Sequence, residues 1–259
     1  MDGILLAVIV IGGTGLLIGA LLGIAGKILE VKVDEKEEAI REALPGNNCG
    51  GCGYAGCDDL AKAIAEGKAP VNACPVGGEV MVKAIGEVMG VDAKAVKLRA
   101  VIKCSGTCDK APDKFNYNGN MSCREAMYIS GGAKMCTYGC LGLGSCAEVC
   151  DKDAISIVDG IASVDKDKCM GCGKCAKACP RGIIEIIPEI NEQYVGCSSH
   201  DTGKVVKSVC SVGCIGCKLC EKNCPAEAIT VENNLPVIDY DKCVVCGICK
   251  EKCPVKCIK

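Results

Sequence analysis

Three runs of twelve residues share one cysteine spacing, C-x2-C-x2-C-x3-C, each closed by proline. They are CMGCGKCAKACP (Cys169, Cys172, Cys175, Cys179), CIGCKLCEKNCP (Cys214, Cys217, Cys220, Cys224) and CVVCGICKEKCP (Cys243, Cys246, Cys249, Cys253). Structural zinc sites favour separated C-x2-C pairs, whereas a third, crowded thiolate suits one corner of a cubane. In this bacterial ferredoxin spacing the first three cysteines hold one [4Fe-4S] cluster and the fourth ligates the other cluster of a two-cluster unit. The runs must therefore work in pairs, and three is an odd number.

The missing partner lies upstream. From Cys224 to Cys243 is 19 residues (243 − 224), and from Cys150 to Cys169 is also 19 (169 − 150). The intervening stretches, PAEAITVENNLPVIDYDK and DKDAISIVDGIASVDKDK, align without a gap, and GCLGLGSCAEVC aligns with GCIGCKLCEKNC. Cys140, Cys146 and Cys150 thus correspond to Cys214, Cys220 and Cys224, while Leu143 stands where the second unit has Cys217. A substitute thiolate is required. Cys136 is the nearest upstream candidate and its equivalent, Cys210, has no other evident role; Cys123 and Cys108 compete with it. The expected ligand sets are Cys136, Cys140, Cys146 and Cys179, then Cys150, Cys169, Cys172 and Cys175, then Cys214, Cys217, Cys220 and Cys253, then Cys224, Cys243, Cys246 and Cys249. The apolar segments AISIV, IIEII and AITV are expected as the paired strands that flank such cluster loops.

Nearer the N-terminus, NNCGGCGYAGC and a later cysteine give Cys49, Cys52, Cys57 and Cys74, a C-x2-C-x4-C-x16-C pattern suited to one further [4Fe-4S] cluster. Gly50, Gly51, Gly53 and Gly56 keep that loop free of side chains, so backbone N–H groups can face the sulfurs and tune their potential. Helices are expected over 58–66, ending at Gly67, and over 79–89.

Ile4 to Gly26 carries no charge over 23 residues, enough for one bilayer-spanning helix. The Met-Asp start lacks the basic residues of a signal peptide. Lys27, Lys32 and Lys36 follow the span and nothing basic precedes it, which predicts a single-pass anchor in the cytoplasmic membrane with the bulk of the chain on the cytoplasmic side. Reducing conditions there disfavour a disulfide scaffold. Gly15, Gly19 and Gly23 line one face of the span, a surface onto which a partner helix can pack.

These readings give an α+β chain: a transmembrane anchor (1–29), a small helical four-cysteine [4Fe-4S] domain (30–95), and two tandem bacterial-type two-cluster ferredoxin domains (96–190 and 191–259). Five clusters consume 20 of the 26 cysteines and leave Cys104, Cys108, Cys123, Cys197, Cys210 and Cys257. A sixth cluster is arithmetically possible; buried free thiols are the alternative. The formal net charge of −2 leaves no basic excess for nucleic acid. No glycine-rich nucleotide fingerprint follows a strand, so direct NAD or flavin binding is not expected. With one histidine, His200, in the polar run SSHDTGK, no hydrolytic triad can form.

The order of anchor, ALPGNNCGGCGYAGC segment and tandem ferredoxin runs resembles the B subunit of the Rnf complex, the membrane-bound, ion-translocating ferredoxin:NAD oxidoreductase. The resemblance implies an electron-transfer subunit that accepts electrons from soluble ferredoxin and relays them to flavin- and NAD-binding membrane subunits, with ion transport of Na⁺ or H⁺ occurring in those partners. It carries cluster binding to Cys49, Cys52, Cys57, Cys74 and the ferredoxin cysteines above; shorter relatives have one ferredoxin unit where this chain has two. Lys103, Lys110 and Lys114, or Lys250, Lys252, Lys256 and Lys259, are candidates for docking an acidic ferredoxin. The competing functions are a membrane-tethered polyferredoxin adaptor without ion coupling and a structural zinc protein.

Overall fold

The computed structural model describes residues 2–28 and 34–259. Helix α1 (Asp2–Ile28) is continuous over 27 residues. Its described side chains, among them Leu16, Leu17, Ile18, Leu21 and Leu22, are exposed, and Gly15, Gly19 and Gly23 have open space beside them. Counting the described residues alone, no helix is long and apolar enough to cross a membrane. The anchor therefore remains a reading of the sequence, and Lys32, on which its orientation partly rests, lies outside the described residues.

A three-helix domain follows. In α2 (Glu35–Ala43) the Asp34 carboxylate accepts from the Lys36 N–H at 3.0 Å and acidic residues fill the first turn, which satisfies an orphan donor and complements the helix dipole. α3 (Cys57–Ala65) and α4 (Gly78–Met89) pack against it. Ile40, Leu60, Ile64, Val82 and Ile85 fill the space between them. Gly90, at φ +68°, ends α4 in the left-handed conformation that glycine adopts without a Cβ clash. Both helices expected here are present, each beginning one residue earlier than the pattern suggests.

The remainder is built on two copies of one plan. In the first, β1 (Leu98–Ile102) enters, α5 (Cys123–Tyr128) and α6 (Ser145–Glu148) follow, and β2 (Ile155–Val158) pairs antiparallel with β3 (Ile161–Val164) as a hairpin. After α7 (Lys174–Ala178), β4 (Ile184–Pro188) returns to pair antiparallel with β1. The IIEII segment is thus a strand, but its partner is the distant LRAVI and not a hairpin neighbour. The second copy has α8 (Gly203–Val209), α9 (Leu219–Lys222), the hairpin β5 (Ile229–Glu232) with β6 (Leu235–Ile238), and α10 (Ile248–Lys252). Its outer pair shrinks to a single bridge, Val195 with Ile258, flanked by Gly196 N–H to the Cys257 carbonyl at 2.8 Å and Lys259 N–H to the Tyr194 carbonyl at 3.0 Å.

Both copies use the same loop geometry between helix starts and cysteines. Gly144, Gly173, Lys218 and Gly247, each just ahead of the helix that carries the third cysteine of a run, all have positive φ. So do Gly142, Gly171, Gly216 and Val245, two residues earlier. Glycine is at home there; Lys218 and Val245 are held there by the fold.

Candidate metal centres

The loop of the Cys49 group is set by Asn48, whose side-chain oxygen accepts from the Cys57 N–H at 2.8 Å and ties the loop to the start of α3. Cys74 returns beside Cys52 and Cys49, with the backbone amides of Val76 and Gly77 facing its sulfur; burial pushes its thiol up. This group is docked on the first ferredoxin-like copy. Lys177 Nζ donates to the Gly50 carbonyl at 2.8 Å, and a Cβ on Gly51 would stand 2.6 Å from the Cys172 carbonyl oxygen.

Cys150, Cys169, Cys172 and Cys175 line one cavity. The Ala154 N–H donates to Cys150 Sγ at 3.4 Å and the Ala100 N–H to Cys169 Sγ at 3.3 Å. The first bond recurs at the matching place in the repeat, Ala228 N–H to Cys224 Sγ at 3.3 Å, and again as Cys257 N–H to Cys253 Sγ at 3.2 Å. In the second copy Cys220 lies near Cys214 and Cys217, and Cys249 near Cys243, Cys246 and Cys224.

The substitute for the absent cysteine at Leu143 is where the structure departs from expectation. The cavity holding Cys140, Cys146 and Cys179 is closed by Cys123, not by Cys136. Cys123 opens α5, where the Ser122 hydroxyl accepts from the Glu125 N–H and caps the helix, and the Cys123 N–H donates to Ser145 Oγ at 2.9 Å. That bond fastens α5 to the first residue of α6, two positions beyond Leu143. Cys136 faces a different cavity, with Cys104, Cys197 and Cys210. Proximity along the chain favoured Cys136; the segment before it folds α5 back across the site and delivers Cys123 instead.

Burial pushes the Cys146 thiol up to about 12 and those of Cys175 and Cys220 to about 11, with neighbouring sulfurs adding to the effect. Such sulfurs become thiolates only beside a strong positive charge, and iron supplies one. Among the described residues no three of His, Cys, Asp and Glu converge as one ion requires; the cysteines ring cavities instead. A four-iron cube, with one thiolate to each iron, fits that donor set and spread.

Two cations, one buried and one half-buried, sit among the sulfurs. Lys134, 4% exposed, donates to the Gly106 carbonyl at 2.7 Å and the Gly160 carbonyl at 2.9 Å. Arg181 lies near Cys136, Cys179, Cys140 and Cys104, and burial pulls its pKa down. Cys257, 1% exposed, places its thiol against the sulfurs of Cys197 and Cys214; it keeps its proton, and this hydrogen bond lowers Cys197 to about 6. Cys108 and His200 are exposed. Of the candidate docking lysines, Lys103 pairs with Glu185 at 3.4 Å and Lys114 Nζ donates to the Ser130 carbonyl at 2.6 Å.

Three protein families match parts of the chain: an Fe-S cluster family over residues 44–76, a 4Fe-4S binding domain over 162–185 and a 4Fe-4S dicluster domain over 213–258. Similar proteins span nearly the whole chain. The B subunit of the Na(+)-translocating ferredoxin:NAD(+) oxidoreductase complex of Acetobacterium woodii is 50% identical over 100% of this chain and 78% of its own length. The B subunit of the ion-translocating oxidoreductase complex of Methanosarcina acetivorans is 42% identical over 91% of this chain and 90% of its own. The B subunit of the proton-translocating ferredoxin:NAD(+) oxidoreductase complex of Clostridium ljungdahlii is 40% identical over 92% and 85%.

Proposed function

Because the chain belongs to the B-subunit family of the Rnf, or ion-translocating oxidoreductase, complexes and is an iron–sulfur electron-transfer protein, we propose that it takes electrons from reduced soluble ferredoxin and relays them to membrane partners that move Na⁺ or H⁺. The observation that carries this reading is the file of four-cysteine groups. The Cys49 group abuts Cys172, Cys172 belongs to the cavity of Cys150, Cys169 and Cys175, and that unit continues into the Cys123 cavity. A bound [4Fe-4S] cluster supplies reversible one-electron storage. This chain's residues supply thiolate ligands, backbone N–H donors to the sulfurs and burial, the factors that set cluster potential.

The proposed ligand sets are Cys49, Cys52, Cys57 and Cys74; Cys150, Cys169, Cys172 and Cys175; Cys123, Cys140, Cys146 and Cys179; Cys214, Cys217, Cys220 and Cys253; and Cys224, Cys243, Cys246 and Cys249. The proposed anchor is α1, whose long run of exposed apolar side chains is costly in water and stable in lipid, with the metal-bearing domains on the cytoplasmic side. One helix cannot form an ion path, so translocation falls to the partners.

The test mixes the anaerobically purified full chain in detergent with reduced ferredoxin and follows bleaching of the cluster absorbance. Bleaching on mixing, with none from NADH in the absence of the partner proteins, is the expected result. Zinc in place of iron, or clusters that ferredoxin leaves oxidised, would overturn the reading.

A further inference from the structure

The cavities of the Cys169 and Cys123 groups are each lined by four cysteines. So is another, lined by Cys104, Cys136, Cys197 and Cys210. These four cysteines match no cysteine run and lie outside every segment covered by the iron–sulfur families.

The four sulfurs come as two equivalent pairs. Cys104 follows Lys103, whose N–H donates to the Ile183 carbonyl across the outer strand pair; Cys197 follows Gly196, whose N–H donates to the Cys257 carbonyl at the matching place in the second copy. Cys136 stands four residues before Cys140, and Cys210 four before Cys214. Each copy thus contributes one cysteine just past its outer strand or bridge and one from the turn ahead of its cluster loop. The copies are closed on each other around this point by Ser198 Oγ to the Lys103 carbonyl at 2.9 Å and Ser211 N–H to the Lys110 carbonyl at 2.9 Å.

Space and hydrogen bonding are those of a cluster site. A Cβ on Gly139 would stand 3.5 Å from Cys136 Sγ and 3.6 Å from Cys104 Sγ, and one on Gly106 would stand 3.5 Å from Cys210 Sγ and 3.7 Å from Cys104 Sγ, so both glycines lie directly against the sulfurs. All four sulfurs meet backbone N–H groups. Cys140 donates to Cys104 at 3.3 Å and Ser199 to Cys197 at 3.4 Å; Tyr138 and Gly139 face Cys136, and Val212 and Gly213 face Cys210. Backbone N–H groups face sulfurs of the other cavities too, those of Ala154, Ala100 and Ala162 meeting Cys150, Cys169 and Cys140.

We propose that Cys104, Cys136, Cys197 and Cys210 hold a sixth [4Fe-4S] cluster, shared equally by the two ferredoxin-like copies, and that it carries electrons across their seam. On one side the Cys140 backbone N–H joins it to the Cys123 group. On the other, the Cys257 thiol lies between Cys197 and Cys214. Loading releases four thiol protons as four Fe–S bonds form around a 2+ core. Transfer moves one electron from the neighbouring reduced core, which is thereby oxidised, and takes this core to 1+, with no bond made or broken. The inference rests on the chain's being an iron–sulfur protein.

The test is anaerobic iron and acid-labile sulfide analysis of the full chain, with Mössbauer spectroscopy to confirm that the iron is in [4Fe-4S] form. About twenty-four irons per chain are expected, six cubanes of four. The double variant C104S/C210S is expected to fall to about twenty. C123S and C136S are each expected to lose about four, and C123S/C136S about eight, because the two residues serve different sites. Wild type at about twenty irons, or a C123S/C136S variant that loses only four, overturns the inference and leaves the electron-transfer reading intact. Zinc with little iron overturns both. Should the variants fail to fold, the wild-type iron and cluster count still decides between five and six.

Discussion

Val245 sits at φ +55°, a conformation that costs a β-branched residue about 1–2 kcal/mol, while glycine fills the matching places at 142, 171 and 216. V245G is therefore expected to raise the stability of the loaded protein by about 1 kcal/mol, seen as a higher Tm with unchanged iron content. Lys134 offers a second test at this scale. Its ammonium, 4% exposed and held by two carbonyls, lines the cavity of the Cys104 group and lies near Cys140. A fixed cation in a low-dielectric interior favours the reduced, more negative cluster. K134M is expected to lower the potential of an adjacent cluster by on the order of 59 mV, a tenfold change for a one-electron couple, in an anaerobic redox titration monitored by EPR. An unchanged titration would show that the lysine only packs.

Among the elements, α5 decides the first copy. It supplies the thiolate that Leu143 withholds, and the position of Leu143 is that of Cys217 in the second copy. C123S is expected to lose about four irons, and adding L143C to it to restore them; iron analysis and EPR spin counting check both. This element also marks what can be read from spacing. The hairpins β2–β3 and β5–β6 were legible as AISIV and AITV because each strand's partner is its sequence neighbour. The partner of β4, LRAVI, was not, since it pairs across the whole of the first copy. Cys123 was passed over for the same reason: chain proximity pointed to Cys136, and only the folding back of the segment before it brings α5 to the site. The equivalence of Cys136 with Cys210, visible in the alignment of the repeats, was the one signal that both had a common task elsewhere.

At the scale of the molecule, the cores differ in kind. The helical domain buries Ile40, Leu60, Ile64, Val82 and Ile85 and needs no metal to be apolar inside. In the second ferredoxin-like copy, Cys197, Cys214, Cys220, Cys249 and Cys257 make up five of the ten buried core residues. Stripping iron with an anaerobic chelator is expected to unfold the chain from about residue 96 onward while the helices of 34–90 persist, because small cores depend on such staples. Far-UV circular dichroism with hydrogen exchange would show the two behaviours separately. The joint between them is Gly51 against Cys172. G51A places a methyl group 2.6 Å from a carbonyl oxygen and is expected to cost about 1–3 kcal/mol of docking, with iron content unchanged. Lost protection at the Gly50–Gly53 turn and slower reduction beyond it would be the readout.

Lys134, buried, and Arg181, half-buried, both lie near Cys140, whose backbone N–H meets the cavity between the two ferredoxin-like copies. Every cluster elsewhere adds negative charge to its surroundings; here the surroundings push back. A row of redox centres with a positive middle does not conduct like a uniform cable. For the proposed row of clusters, the centre beside these cations is the one an incoming electron reaches most favourably, a shallow well partway along the path.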